Sequence, residues 1–375
     1  MKILITGGAG FIGSRLSLAL NKRGHKVTVL DSLAPQIHGK SPGQSSLFKE
    51  IDGKVRFVHG SVQRREDWLI SLQGQDVVVH LAAETGTGQS MYEIERYVDV
   101  NTRGTAILLD ILAKGECSIS KVIVASSRAI YGEGKYRSEA GYVYPGLRSK
   151  EDLLNGDFEC KCPVTGGSLS LVATDEDSTI HPTSIYGITK QNQEQMVLTV
   201  GQAIGIDSLV FRYQNVYGPG QALCNPYTGI LSIFSTQLRQ DKNINVFEDG
   251  LESRDFVYID DAVEATILGI ESETVHLGAF NVGSGVSTDV LTIAHVLKEK
   301  YRSSGRIHIT GNFRLGDIRH NYADLTRINK KLGFQPKVSF EQGISMFIAW
   351  VMTQDVNDNG YQESLQEMRD KGLFK

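Results

Sequence analysis

The first thirteen residues restrict what this chain can fold into more than any other stretch. Lys2-Ile3-Leu4-Ile5-Thr6 is a short apolar run of the kind that makes a buried strand, and Gly7-Gly8-Ala9-Gly10-Phe11-Ile12-Gly13 follows at once. Ser14-Arg15-Leu16-Ser17-Leu18-Ala19-Leu20 then carries apolar residues at helical spacing. Strand, glycine turn and helix, in that order, are the context a dinucleotide fingerprint requires. Gly7 permits the tight turn, Gly10 lets backbone amides approach a pyrophosphate, and Gly13 lets helix and strand pack closely. The helix then turns its positive end toward the phosphates. A purely structural glycine turn would use the same residues, so the remainder of the chain has to decide.

A second apolar run, Lys26-Val27-Thr28-Val29-Leu30, ends in Asp31. An acid at this strand end accepts hydrogen bonds from the adenosine ribose hydroxyls and repels a 2′-phosphate, so NAD is expected rather than NADP. A solvated turn carboxylate is the plainer alternative. Further strands are expected at 55–59, 76–83 and 121–127, with a helix at about 101–114. Strands alternating with helices imply right-handed crossovers and a parallel sheet, an α/β fold of the Rossmann, doubly wound kind. Ligands of such sheets bind at the carboxyl ends of the strands, where Ala82, Ala83, Ser126 and Ser127 fall.

Ser-Ile-Tyr-Gly-Ile-Thr-Lys sets Tyr186 and Lys190 four residues apart. On a helix they share a face. An ammonium beside the phenol is expected to lower a pKa that is ordinarily about 10. A phenolate near neutral pH is a general base for an alcohol proton, and a nicotinamide beside that alcohol can take the hydride. Ser127 is placed to hydrogen-bond a substrate oxygen next to Tyr186, although a serine at a strand end is often only a turn residue.

Composition narrows the partners. The net charge is −4 and no basic stripe is present, which argues against nucleic acid. The opening apolar run is too short for a signal peptide or a membrane span. Cys117, Cys160, Cys162 and Cys224 are unevenly spaced and suggest no disulfide framework, so a reducing cytoplasm is expected.

Several segments in order carry a resemblance: Thr6 to Gly13, Asp31, His80-Leu81-Ala82-Ala83, Asn101-Thr102-Arg103-Gly104-Thr105, Ser126 to Gly132, Tyr186 to Lys190, Arg212 to Gly220 and Ser253 to Tyr258. Together they resemble the extended short-chain dehydrogenase/reductase family, in its nucleotide-sugar epimerase branch, and within it proteins of the dTDP-L-rhamnose 4-epimerase type. The resemblance implies a smaller C-terminal substrate-binding lobe beside the Rossmann sheet. It implies catalysis by Ser127, Tyr186 and Lys190. It implies NAD contacts from Gly7, Gly10, Phe11, Ile12, Gly13, Asp31, Ser61, Leu81, Ala82, Ala83 and Asn101, with Tyr186 and Lys190. It implies nucleotide-sugar contacts from Thr85, Ser127, Arg128, Asn215, Arg254, Arg314 and Asp317. Asn215 and Arg254 would hold the diphosphate, for which arginine has the apt fork geometry. Where the family usually has Gly-Asp after the third strand, this chain has Gly60-Ser61.

The pair after Ser127 narrows the reaction. Family 4,6-dehydratases carry Asp-Glu there and the sugar-acid decarboxylases resemble them in the second place. Here the pair is Arg128-Ala129, and neither residue can protonate a leaving hydroxyl or abstract a C5 proton. The resemblance therefore implies 4-epimerisation by transient oxidation at C4, on a dTDP-linked 6-deoxyhexose or a UDP-hexose. A net NAD(P)-dependent 4-ketoreductase or dehydrogenase stays open, as does a noncatalytic nucleotide-sensing protein on the same fold.

The expected organisation is a cofactor domain over 1–210, interrupted at about 133–178, and a substrate lobe over 211–375 with segments crossing between them. The insertion sits beside the mouth of the expected site, where lining the sugar and acting as a lid both stay open. Its Cys160 and Cys162 have no second Cys/His pair nearby, and Thr165 stands where a second cysteine of a Cys-Pro-x-Cys-Gly pattern would fall, so no metal site is expected. The stretch Gly218 to Ile230, with Cys224, also resembles the same epimerase type. Helices are expected at 259–270, 289–300 and 340–352. Family members commonly dimerise through the Tyr186 helix and the one after Asn101, and a homodimer is expected here.

Overall fold

The computed structural model describes residues 1–223, 225, 229–355 and 361–375. Cys224 lies outside the described residues. Seven parallel strands make the central sheet: β1 (Lys2–Thr6), β2 (Lys26–Asp31), β3 (Arg56–His59), β4 (Val77–His80), β5 (Lys121–Ser127), β6 (Asp207–Tyr213) and β7 (Leu277–Val282). Their spatial order is 7-6-5-4-1-2-3. The order reverses between β1 and β4, the switch point at which doubly wound sheets bind ligands.

Alternation along each strand feeds two cores, because successive side chains point to opposite faces. Ile3, Ile5, Val29, Val77 and Val79 pack on one face with helix α1 (Phe11–Lys22). Leu4, Leu30, Val78, Val122 and Val124 pack on the other. That second face is covered by α2 (Gly104–Ala113) and α3 (Ile185–Ile204), through Leu108 and Val197. All seven residues of β5 are buried, as a strand covered on both faces requires. β7 comes from beyond residue 211, so the C-terminal half completes the sheet.

The expected helix at 101–114 starts instead as a π-helical stretch, Val98–Arg103, that runs into α2. The later helices occupy Ile259–Glu271, Val290–Tyr301 and Phe340–Val351. The insertion folds as an antiparallel sheet of Gly141–Val143, Lys135–Ser138 and Ser170–Val172, with a short helix at Lys150–Leu154. Tyr136, Val143, Cys160 and Cys162 form its own small core. No helix among the described residues is long and apolar enough to cross a membrane.

Candidate active site

A cavity of about 650 Å³ runs along the carboxyl ends of the strands, and every residue expected to touch cofactor or substrate lines it except Asn101. The glycine turn forms one end. Gly7 sits at φ +68°, and a Cβ there would lie 2.7 Å from the Ala82 amide nitrogen. A Cβ on Gly13 would lie 2.2 Å from the Gly7 carbonyl oxygen. Gly10 is the N-cap of α1 and no side chain caps that helix, so its first amides face the cavity unclaimed. Asp31 is held at the edge of the turn, accepting from the Ala9 amide at 3.0 Å and the Leu33 amide at 2.8 Å. A cradle closed to side chains, orphan amides and an acid at the ribose position together fit NAD. Ser61 lines the cavity with its hydroxyl donated to Gln63 at 3.0 Å, while Asp67 accepts from its amide.

Asn101, expected to contact the cofactor, lies behind the cavity wall. It is fully buried, accepts from the Glu84 amide at 2.8 Å and donates to the Glu84 carbonyl and the Thr189 hydroxyl, each at 3.0 Å. Its amide is spent on fastening the segment after β4 to α3, one turn from Tyr186. It shapes the wall without being part of it.

Ser127, Tyr186 and Lys190, the residues expected to be catalytic, meet where β5 ends and α3 begins. The Ser184 hydroxyl accepts from the Gly187 amide at 3.1 Å and caps α3, and Gly205 in the left-handed region ends it. Tyr186 therefore lies in the first turn and Lys190 one turn on. The Lys190 Nζ donates to the Ala125 carbonyl at 2.8 Å and stands 6.0 Å from the Tyr186 ring centroid. Burial pulls Lys190 down to about 7. For Tyr186, burial raises the phenol above its ordinary value, while Ser127 and the Arg128 cation work to lower it. The expectation that Lys190 pulls the phenol down is not met in the protein alone. The i, i+4 spacing sets the shared face, but the ammonium is drawn to a backbone carbonyl and loses charge to burial.

At the far end, Arg254 is 8% exposed and its guanidinium donates to the carbonyls of Ser253, Ile318 and Arg319 and to Asp317 Oδ1 at 3.3 Å. Burial alone would raise Asp317, but Arg254, Arg314, Arg128 and Arg148 hold it below the usual carboxylate range. Arg314 lies over the Phe247 ring at 5.2 Å. Asn215 donates to the Asp255 carbonyl at 3.0 Å. Burial and the neighbouring Arg254 bring Arg128 down to about 10.

Four features of this wall carry no local sequence signal. Phe247 is one. The buried Gln214 amide has no hydrogen-bond partner among the described residues. Glu252 is raised to about 7 by burial. The Arg96–Glu84 ion pair closes at 2.7 Å beside the cofactor end. The insertion, by contrast, contributes nothing to the cavity wall among the described residues.

A model of the NAD dependent epimerase/dehydratase family matches residues 3–146 and 164–283. A dTDP-L-rhamnose 4-epimerase of Burkholderia thailandensis is 38% identical over 353 residues, 93% of this chain and 94% of the relative. A UDP-N-acetyl-alpha-D-glucosaminuronate decarboxylase of Bacillus cytotoxicus is 30% identical, covering 93% and 97%. The UDP-glucuronic acid 4-epimerase of Bacillus cereus, solved with UDP-glucuronic acid and NAD, superposes with a TM-score of 0.76 at 26% identity, over 94% of this chain and 99% of that one.

Proposed function

The chain belongs to the NAD dependent epimerase/dehydratase family, and from that premise we propose that it is a nucleotide-sugar 4-epimerase, acting on a dTDP-linked 6-deoxyhexose or a UDP-hexose. The observation that carries this reading is the continuity of one cavity from the glycine turn, past Ser127 and Tyr186, to Arg254 and Arg314. The similarity to a dTDP-L-rhamnose 4-epimerase favours the deoxyhexose.

Gly7, Gly10, Gly13 and Asp31 would hold the dinucleotide, with Lys190 and Tyr186 at its nicotinamide end. What a bound NAD supplies is two-electron redox at the sugar C4. Tyr186 takes the 4′-hydroxyl proton as C4 is oxidised and returns it when C4 is reduced on its other face. Ser127 holds the same oxygen, and Arg128 favours the phenolate. Inversion needs the flat 4-keto sugar to turn about its pyrophosphate link. That asks for a firm grip on the nucleotide and a loose one on the sugar. Arg254, Arg314 and Asp317 concentrate charge at the nucleotide end, whereas Ala129 follows Arg128 where a dehydratase would carry an acid. A homodimer through α2 and α3 is part of the proposal; α3 leaves Ile188 and Ile204 exposed, and sedimentation velocity tests it.

Proton NMR of the purified protein with dTDP-L-rhamnose, dTDP-glucose, UDP-glucose and UDP-N-acetylglucosamine, without added cofactor, tests the activity. A C4-inverted product is expected. Turnover only with supplied NAD(H) would replace epimerisation by net oxidoreduction.

A further inference from the structure

We propose that Arg148, which lies in the insertion and outside the cavity, is a positioning residue for the grip on the nucleotide diphosphate. The inference rests on the nucleotide-sugar reading above. The Arg148 side chain is 4% exposed. Its fork donates to both Glu248 oxygens at 2.8 and 2.7 Å, to the Phe158 carbonyl at 2.9 Å and to the Asp317 carbonyl at 3.0 Å. Asp317, Ile318 and Arg319 form the segment from which Arg254 takes its orientation, through Asp317 Oδ1 and the carbonyls of Ile318 and Arg319.

The insertion grips that segment from behind at two more points. Glu133 accepts from the Arg319 amide at 2.5 Å. Glu159 accepts from the Arg319 guanidinium at 2.6 and 2.9 Å, and Asp249 and Glu248 take its remaining donors. The segment is thus held between the insertion on one side and Arg254 on the cavity side. Arg254 makes no hydrogen bond to the insertion itself among the described residues. Its guanidinium can keep one direction only while those carbonyls stay in place, and buried polar networks hold their members rigidly where they are satisfied. The insertion therefore acts on the nucleotide site through the backbone at 317–319.

Arg148→Met removes the fork while Glu248 keeps Arg319; Glu133, 4.0 Å from the Arg148 Nε, loses that cation and keeps the Arg319 and His320 amides. The probes are dTDP and UDP, titrated by calorimetry into the NAD-loaded enzyme, with kcat and KM for the nucleotide sugar that turns over. Expected are a tenfold or greater rise in Kd and in KM, kcat within about threefold, and unchanged bound NAD. Arg148→Lys keeps the charge but loses the fork; it should show a smaller rise in the same direction, and it decides the matter if Arg148→Met does not fold. Wild-type affinity for both nucleotides in the folded variants, or a fall in kcat at unchanged Kd, would overturn the proposal. A wild-type enzyme that binds neither nucleotide would instead sink the reading on which it rests.

Discussion

Replacing Gly13 by alanine tests the cofactor cradle with a number taken from the structure. The added Cβ would sit 2.2 Å from the Gly7 carbonyl oxygen and 2.6 Å from the Gly8 Cα. Both are backbone atoms, so no rotamer change relieves the clash. Ordinary contact begins near 3.4 Å, so α1 must withdraw from the turn by about 1.2 Å. Overpacking of this kind costs about 1–3 kcal/mol. The same carbonyl accepts from the Gly10 amide at 3.1 Å, so the turn and the helix N-terminus move together. A shift of that size breaks at least one charge-assisted hydrogen bond to a phosphate, worth about 1.5–3 kcal/mol. Dinucleotide affinity should fall about tenfold to a hundredfold. The assay is NAD released per chain on denaturation, with a melting curve beside it. Gly43→Ala is the control, since nothing lies within 4 Å of its Cβ position. If Gly13→Ala keeps a full complement of NAD and melts with the wild type, the close approach is not what the glycine provides.

Four further outcomes are expected. Tyr186→Phe should fold and hold NAD while turnover falls about 10²–10⁴-fold, read by the same NMR assay. Lys190 has a folded pKa of about 7 against an ordinary 10.5, so between those values the unfolded chain binds the extra proton and the cofactor-free protein gains stability as pH rises. Lys190→Met should flatten that rise in melting temperature between pH 7.5 and 9.5, and equal slopes in the two proteins would refute it. Asn101→Ala leaves the Glu84 amide without its acceptor and should cost about 1–3 kcal/mol in urea unfolding; an unchanged midpoint would contradict its role as a fastener. Arg254→Lys cannot reach the three carbonyls and Asp317 at once, and a rise in KM of about tenfold or more is expected in steady-state kinetics.

What the sequence disclosed and what it hid differ in the range of the interactions involved. The glycine turn, the strands of the sheet and the helix bearing Tyr186 are written in residues a few places apart, where period, caps and turn chemistry act. Partners far apart in the chain leave no such mark. The motif around Asn101 suggested a ligand contact, but its side chain is claimed by residues 17 and 88 positions away. The spacing of Tyr186 and Lys190 put both on one face, yet a carbonyl 65 residues upstream decides where the ammonium points. The insertion offered itself as a sugar-lining wall or a lid because its place in the chain is just after Ser127. Its arginine instead spans 100 and 169 residues to Glu248 and Asp317. Local pattern thus names the groups that can do chemistry, and only the fold says which of them are free to do it. In this chain a wall residue expected from its motif is spent on structure, while an arginine with no motif is spent on holding the site.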